Sequence, residues 1–213
     1  MILYLFIYPA AVWLCFCTGL FALYKGWIKS PTTFRMLTIS AMVATYETVG
    51  TLFSMKAINN VWIFNLFVPL LMASLLLLFY RQLVKWQNYI PVLLSVGVLI
   101  YSLYWTFSRS LFFSVFNTNL LVIGSVCLLI VTLLYFYAVL QRDIPILSEP
   151  LFWVATGIMF FFGGTLIHSL MQDYLLSFGN KVAKKMFQVV QILGILFYLT
   201  FGFAFVCQKI FRK

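Results

Sequence analysis

Seven long runs of apolar residues are the feature that most restricts how this chain can fold. A run such as LLMASLLLLFY is apolar on every face of a helix, whereas a membrane-spanning strand alternates apolar and polar residues. A helix needs about 20 apolar residues to cross the hydrocarbon core of a bilayer. The sequence therefore predicts an all-α membrane protein, a seven-transmembrane-helix bundle that forms one domain over residues 1–213. The predicted spans are about 3–24, 37–55, 60–80, 90–108, 119–140, 151–174 and 185–208.

Length and composition exclude a soluble protein. Of the 213 residues, 64% are hydrophobic and 8% are charged, whereas soluble domains are about half apolar and about a quarter charged. Seven spans use roughly 150 to 170 residues. The roughly 45 to 60 residues that remain are too few for a soluble catalytic or nucleic-acid-binding domain beside the bundle.

The inventory of reactive side chains is small. Four cysteines and one histidine exclude a disulfide scaffold and any metal site built from several histidines. A retinal pigment needs a lysine deep in a span, and the deep part of the last span, ILGILFYLTFGF, has none. We expect no metal and no cofactor, and the inventory disfavours an enzyme.

The basic residues predict an orientation. One side of the predicted bundle carries nine of them: Lys25, Lys29, Arg35, Arg81, Lys85, Arg142, Lys209, Arg212 and Lys213. The other side carries five: Lys56, Arg109, Lys181, Lys184 and Lys185. The positive-inside rule then predicts an outside N-terminus and a cytoplasmic C-terminus, with the cluster at 181–185 as the dissenting feature. The net charge of +10 is scattered over short loops, which favours contact with the lipid bilayer over nucleic acid.

Polar residues inside the spans point to a site. Polar side chains in hydrocarbon are costly and usually face the bundle interior, and Glu47 is the only acid near mid-membrane. In the predicted orientation the other polar residues converge on the outer half, above Glu47. This arrangement is typical of a small-molecule pocket. The predicted ligand-binding residues are Glu47, Thr51, Trp62, Asn65, Tyr104, His168, Gln172, Gln188 and Gln191.

Five of these residues also have a purely structural interpretation. Glu47 could be protonated and hydrogen-bonded to a neighbouring span as packing. His168 could extend to the headgroups, and Asn65 could satisfy backbone freed by a kink at Pro69. Gln188 and Gln191 could join helices through hydrogen bonds.

Two short segments carry a family resemblance. Asn59, Asn60, Trp62 and Asn65 form an NNxWxxN segment, and an FWxxxG segment begins at Phe152 and ends at Gly157. With these segments the chain resembles a family of uncharacterised bacterial seven-helix membrane proteins. It more loosely resembles the seven-helix sensor modules of histidine kinases. The resemblance implies a multi-pass protein of the bacterial inner (plasma) membrane and brings no activity with it.

Three functions follow as hypotheses. The first is a receptor-like sensory or regulatory module that binds a small, largely apolar ligand in the outer-half pocket and signals through a separate partner protein. The second is a small proton- or cation-linked transporter or channel that uses Glu47. The third is a structural subunit of a membrane complex.

Overall fold

The chain folds into helices. The computed structural model describes residues 2–56, 58–83, 85–108, 112, 115–142, 145–177 and 180–211, and the regular elements within them are all helical. In chain order they are α1 (Ile2–Tyr24), α2 (Pro31–Met55), α3 (Val61–Leu78), α4 (Ile90–Ser108), α5 (Thr118–Leu140), α6 (Pro150–Ser177), α7 (Asn180–Ala204) and a short α8 (Cys207–Phe211). Short 3-10 turns at Lys85–Tyr89 and Ile146–Ser148 precede α4 and α6.

Six of these helices, α1 to α6, are long and apolar enough to cross a membrane. The apolar part of α7 is shorter and covers Gln188–Ala204. The prediction of a helical, multi-pass membrane protein is thus confirmed in its coarse form. The seventh span and the orientation stay predictions.

Local capping chemistry sets the helix boundaries, and hydropathy alone misses it. α2 begins at Pro31, well before the predicted start at about 37, because Ser30 caps it. The Ser30 hydroxyl accepts a hydrogen bond from the Thr33 backbone N–H at 3.1 Å, and proline is favoured at the first helical position. α1 ends where Gly26 adopts φ +66°, which lets the Trp27 N–H donate to the Ala22 carbonyl at 2.9 Å.

Six of the seven long helices form a closed ring, and α4 lies outside it. Around the ring α1 contacts α2, α2 contacts α3, α3 contacts α5, α5 contacts α6, α6 contacts α7, and α7 returns to α1. α4 packs on the outside, against α3 and α5. We call the end where α1, α3, α5 and α7 begin the upper end of the bundle, and the end where they finish the lower end.

Glycine lets α7 approach its two neighbours closely. A Cβ on Gly157 of α6 would lie 2.9 Å from a ring carbon of Phe197 and would also collide with the Thr200 hydroxyl. A Cβ on Gly194 of α7 would lie 2.7 Å from the Tyr8 ring of α1. These contacts bring α1, α6 and α7 together beside the cavity described below.

Aromatic and polar contacts join the elements of the lower end. The Trp153 indole N–H donates to the Leu147 carbonyl at 2.9 Å, and its ring lies 4.6 Å from that of Phe203. The thiol of Cys207 in α8 donates to the Ser148 carbonyl at 3.7 Å. α8 is thereby attached to the turn that leads into α6.

Candidate ligand-binding cavity

A partly open cavity of about 380 Å³ lies in the upper half of the ring. Its lining comes from α1, α2, α3, α6 and α7 and from Asn60 just before α3. The lining residues are Tyr8, Pro9, Glu47, Gly50, Thr51, Ser54, Asn60, Phe64, Phe161, Val190 and Gln191. The volume is within the usual range for small-molecule sites, about 300–1,000 Å³.

Glu47 lies at the deep side of this cavity. It is the seventeenth residue of the 25-residue α2, so it sits about 12 Å below the upper end of that helix. Thr51 and Ser54 follow it at steps of four and three residues, on the same face of α2. The small-polar stripe of α2 therefore forms one wall of the cavity.

Three tyrosines surround the Glu47 carboxyl group. Tyr8 of α1 and Tyr46 of α2 have their hydroxyl groups near it, and Tyr198 of α7 lies near both tyrosines. The rings of Tyr8 and Tyr198 meet edge to face at 5.7 Å, and Tyr46 stacks on Phe67 at 5.4 Å. Tyr46 and Tyr198 are each only 4% exposed. The carboxyl group thus sits among hydroxyl donors held in place by packing.

Below Glu47 the ring is filled. Cys15, Ile39, Val43, Leu71, Phe197 and Phe201 are among the side chains that meet there, and only about 10 Å³ of open space remains between them. Met36, Leu75 and Phe79 are fully buried at a still lower level. Glu47 and the tyrosines therefore form the floor of the cavity in this conformation.

Asn60 and Phe64 shape the upper wall. The Asn60 amide donates to the Gly50 carbonyl at 3.1 Å and so joins the end of α2 to the start of α3. Gly50 leaves room for the Phe64 ring, which lies 3.3 Å from where a Cβ would be. Together with Pro9, Phe161 and Val190, Phe64 gives the cavity apolar walls around its polar groups.

Three of the nine predicted ligand-binding residues, Glu47, Thr51 and Gln191, line this cavity. Asn65 has a different position. It is 3% exposed, its amide donates to the carbonyls of Phe112 at 2.7 Å and Val115 at 2.9 Å, and its oxygen accepts from the Asn117 N–H at 3.0 Å. Asn65 therefore holds the α4–α5 connection and does not contact the cavity.

The other predicted residues lie elsewhere on the bundle. Trp62 packs against Phe53 with ring centroids 6.2 Å apart, and Tyr104 is 68% exposed on the outer face of α4. His168 is half-buried in α6, and its Nδ1 has no hydrogen-bond partner among the described residues. Gln188 is half-buried in α7, one turn from the cavity lining. The Gln172 side chain lies outside the described part of the structure.

Sequence reasoning did not select Tyr8, Phe64 and Phe161 as site residues. Tyr8 offered a signal, because it precedes Pro9 inside a span rather than at the membrane interface where tyrosines concentrate. Phe64 and Phe161 offered none, since the chain contains 24 phenylalanines and most of them pack or face lipid.

The chemistry available in the cavity is that of recognition. One carboxyl group, tyrosine and threonine hydroxyls and the Gln191 amide can accept or donate hydrogen bonds to a small molecule. Among the described residues, no group of three or more His, Cys, Asp or Glu side chains could hold a metal ion. Comparison of the chain with protein-family models, with curated proteins and with solved structures found no significant match. The cavity itself is therefore the basis for a functional proposal.

Proposed function

We propose that this chain is a receptor-like membrane module that binds a small amphipathic molecule in the cavity above Glu47. The observation that carries the proposal is the meeting of five helices around about 380 Å³ of space with one carboxyl group at its floor. A carboxyl group is costly in a membrane interior and commonly marks a functional site. The proposal includes a separate partner protein that receives the signal.

We further propose that the chain crosses the bacterial plasma membrane seven times and that its N-terminus lies outside the cell. The 17 residues of Gln188–Ala204 extend about 26 Å as a helix, close to the roughly 30 Å of the hydrocarbon core. Lys25, Lys29 and Arg81 lie at the lower end, in the α1–α2 and α3–α4 connections. The positive-inside rule then favours the lower end as the cytoplasmic end, and the cavity faces outward.

The lining favours a ligand with an apolar body and a hydrogen-bond-donating, cationic head. Phe64, Phe161 and Val190 would contact the body, whereas Glu47 would accept hydrogen bonds from the head. Charge-assisted hydrogen bonds are stronger than neutral ones. A primary amine attached to a small aromatic ring has this chemistry.

The filled interior below Glu47 favours binding over conduction. A transporter or channel needs a path past Glu47, whereas the cavity described beneath it holds only about 10 Å³. A ligand beside Phe161 and Gln191 would instead act on the packing of α6 against α7. α8 and the turn at Ile146–Ser148 adjoin the lower ends of these helices and would transmit the change.

Three probes with one aromatic body and different heads test this proposal. They are phenethylamine, 2-phenylethanol and phenylacetate, each added to the purified full chain in detergent, with thermal unfolding followed by tryptophan fluorescence. We expect the amine to raise Tm most and phenylacetate least. Glu47→Gln should weaken the apparent amine affinity about tenfold, because a charge-assisted hydrogen bond is lost.

Glu149→Gln is the matched control, since it removes a carboxyl group from a residue that is not part of the cavity lining. It should leave the ranking of the three probes unchanged. Equal shifts for all three probes, or an unchanged amine affinity in Glu47→Gln, would overturn the proposed site.

Two further measurements separate the other functions. In liposomes that carry an internal pH dye, amine-dependent proton flux that disappears in Glu47→Gln would identify a transporter and contradict the receptor proposal. Co-purification of a partner that is unaffected by Glu47→Gln but lost on replacing exposed aromatic residues, with no probe bound, would identify a structural subunit.

A further inference from the structure

A second cavity of about 390 Å³ lies at the lower end, between α2 and α3 on the outer surface of the ring. Arg35, Thr38, Ile39, Ser74, Leu77 and Tyr80 line it. It shares no residue with the cavity above Glu47. The two sites therefore occupy opposite ends of the bundle.

The α2–α3 groove is bounded at both ends. At the lower end the Gln82 amide donates to the Thr32 hydroxyl at 3.4 Å, which connects the two helices. Towards the upper end Tyr46 stacks on Phe67 and closes the space between α2 and α3. Arg35 is the fifth residue of α2, so the groove begins about 6 Å above the start of that helix, near the lower end of the bundle.

The charge at this groove is positive. Arg35 is exposed and forms part of the lining, and the Arg81 guanidinium lies 5.3 Å from the centre of the Tyr80 ring. Arg81 adopts φ 64°, which turns the chain just after α3. No acidic residue of the described part is among those that line the groove. Guanidinium groups bind phosphate oxygens in a two-pronged geometry, and the Ser74 hydroxyl in the lining adds a further hydrogen-bonding group.

The surface next to the groove is apolar. Leu77 is part of the lining and is exposed, and Leu70 lies two turns above it on α3, also exposed. Phe34 is exposed one position before Arg35. A molecule with a phosphate at Arg35 would therefore have hydrocarbon contacts available along α3.

We propose that the α2–α3 groove binds an anionic phospholipid, with its phosphate at Arg35 and one acyl chain along Leu77 and Leu70. The positive charge without a lining carboxylate selects a lipid of net negative charge over a zwitterionic one. Basic grooves between transmembrane helices recognise anionic headgroups by this chemistry. The proposal does not depend on the ligand of the upper cavity.

Lipid retention by the full chain tests this site. The protein is transferred from detergent into nanodiscs of phosphatidylcholine, phosphatidylglycerol or an equal mixture, all with the same acyl chains, and native mass spectrometry then counts the retained lipids. We expect preferential retention of phosphatidylglycerol from the mixture. Arg35→Gln should reduce that preference about tenfold, because a charge-assisted contact to phosphate is lost.

Lys29→Gln is the matched control, since it removes one positive charge from the same end of the bundle at a residue outside the groove lining. The Lys29→Gln protein should keep the lipid preference.

Thr38→Leu is a second test, which leaves the charge of the groove unchanged. The Thr38 hydroxyl donates only within α2, to the Phe34 carbonyl at 3.2 Å, and a leucine at this position would narrow the groove. The Thr38→Leu protein should therefore also retain less lipid.

Three outcomes would overturn the proposal. They are equal retention of both lipids, an unchanged preference in Arg35→Gln, and an equal loss in Lys29→Gln, which would reduce the effect to general surface charge. A fourth arm adds inorganic phosphate to the protein in detergent. Binding of phosphate without any lipid preference would identify a soluble anion as the occupant and would also contradict the proposal.

Discussion

At the residue scale, small side chains decide how closely the helices approach. Gly157 of α6 lies against Phe197 and Thr200 of α7, where a Cβ would lie 2.9 Å from a ring carbon of Phe197. Gly97 of α4 has nothing within 4 Å of the corresponding position. Both glycines lie inside helices, but Gly157 is in close contact with the neighbouring helix whereas Gly97 has open space beside it.

Alanine at these positions should have opposite effects. Gly157→Ala forces α6 and α7 apart and should lower the free energy of unfolding by about 1–3 kcal/mol, the usual cost of overpacking. Gly97→Ala meets no neighbour and should be neutral or stabilising by up to about 1 kcal/mol, because alanine favours the helix. Unfolding in mixed micelles by SDS titration measures both. Equal stabilities for the two variants would contradict the described α6–α7 contact.

Asn65 illustrates a polar residue whose role is internal. Its side chain pairs with two carbonyls and one N–H of the α4–α5 connection, at Phe112, Val115 and Asn117. Asn65→Leu keeps a similar volume and removes these three hydrogen bonds, of which the one from the Asn117 N–H is buried. We expect a loss of about 2–4 kcal/mol in the free energy of unfolding, since the buried Asn117 N–H costs about 1–3 kcal/mol without its acceptor and the bonds to the two part-buried carbonyls contribute less.

Two observations check that prediction. Hydrogen exchange at the Asn117 N–H should become faster in Asn65→Leu. Asn59→Ala serves as the control, because the Asn59 oxygen accepts from the Val61 N–H at 3.0 Å at an exposed site. It should cost less than about 1 kcal/mol, as is usual for an exposed helix cap. Similar losses in both variants would show that Asn65 does not hold the connection.

At the element scale, the helices could be predicted from sequence and the ring order could not. Runs of about 20 apolar residues identify the spanning helices, because a helix needs about that length to cross the hydrocarbon core. Hydropathy does not reveal which helices are neighbours. The prediction for Tyr104 assumed that all spans face one interior, whereas α4 lies outside the ring and exposes that side chain.

The same reason explains which cavity residues could be predicted. Glu47 and Gln191 are polar within apolar helices, and a polar side chain in a span carries a signal of its own. Phe161 is one aromatic residue among many, and only its neighbours α1 and α7 make it part of the cavity. Hydropathy also does not predict where the helices begin and end. Ser30, for example, starts α2 by capping it, and a cap leaves no signal in the hydropathy.

At the scale of the whole molecule, the candidate sites at the two ends of the bundle carry ionisable groups of opposite kinds. The upper half holds a carboxyl group in a cavity, and the lower end holds exposed arginines beside the α2–α3 groove. An outward-facing upper end predicts that the α2–α3 connection lies outside the cell and the α1–α2 connection lies in the cytoplasm.

Cysteine labelling in intact cells tests this orientation. In a variant with Cys15, Cys17, Cys127 and Cys207 replaced by alanine or serine, single cysteines are placed at Asn59 and at Lys29. A membrane-impermeant maleimide should label the Asn59→Cys protein in intact cells and the Lys29→Cys protein only after lysis. The reverse pattern would place the cavity on the cytoplasmic side.

The closure of the ring by α1 and α7 also has a consequence for synthesis. The cavity takes its lining from α1 and α2 on one side and from α6 and α7 on the other, and α7 emerges from the ribosome after α1 to α6. Until then, Tyr8 and Tyr46, the two tyrosines next to Glu47, lack the neighbour that Tyr198 provides. Glu47 is therefore the group whose exposure to lipid marks an unfinished chain, and occupation of the cavity would mark a completed one.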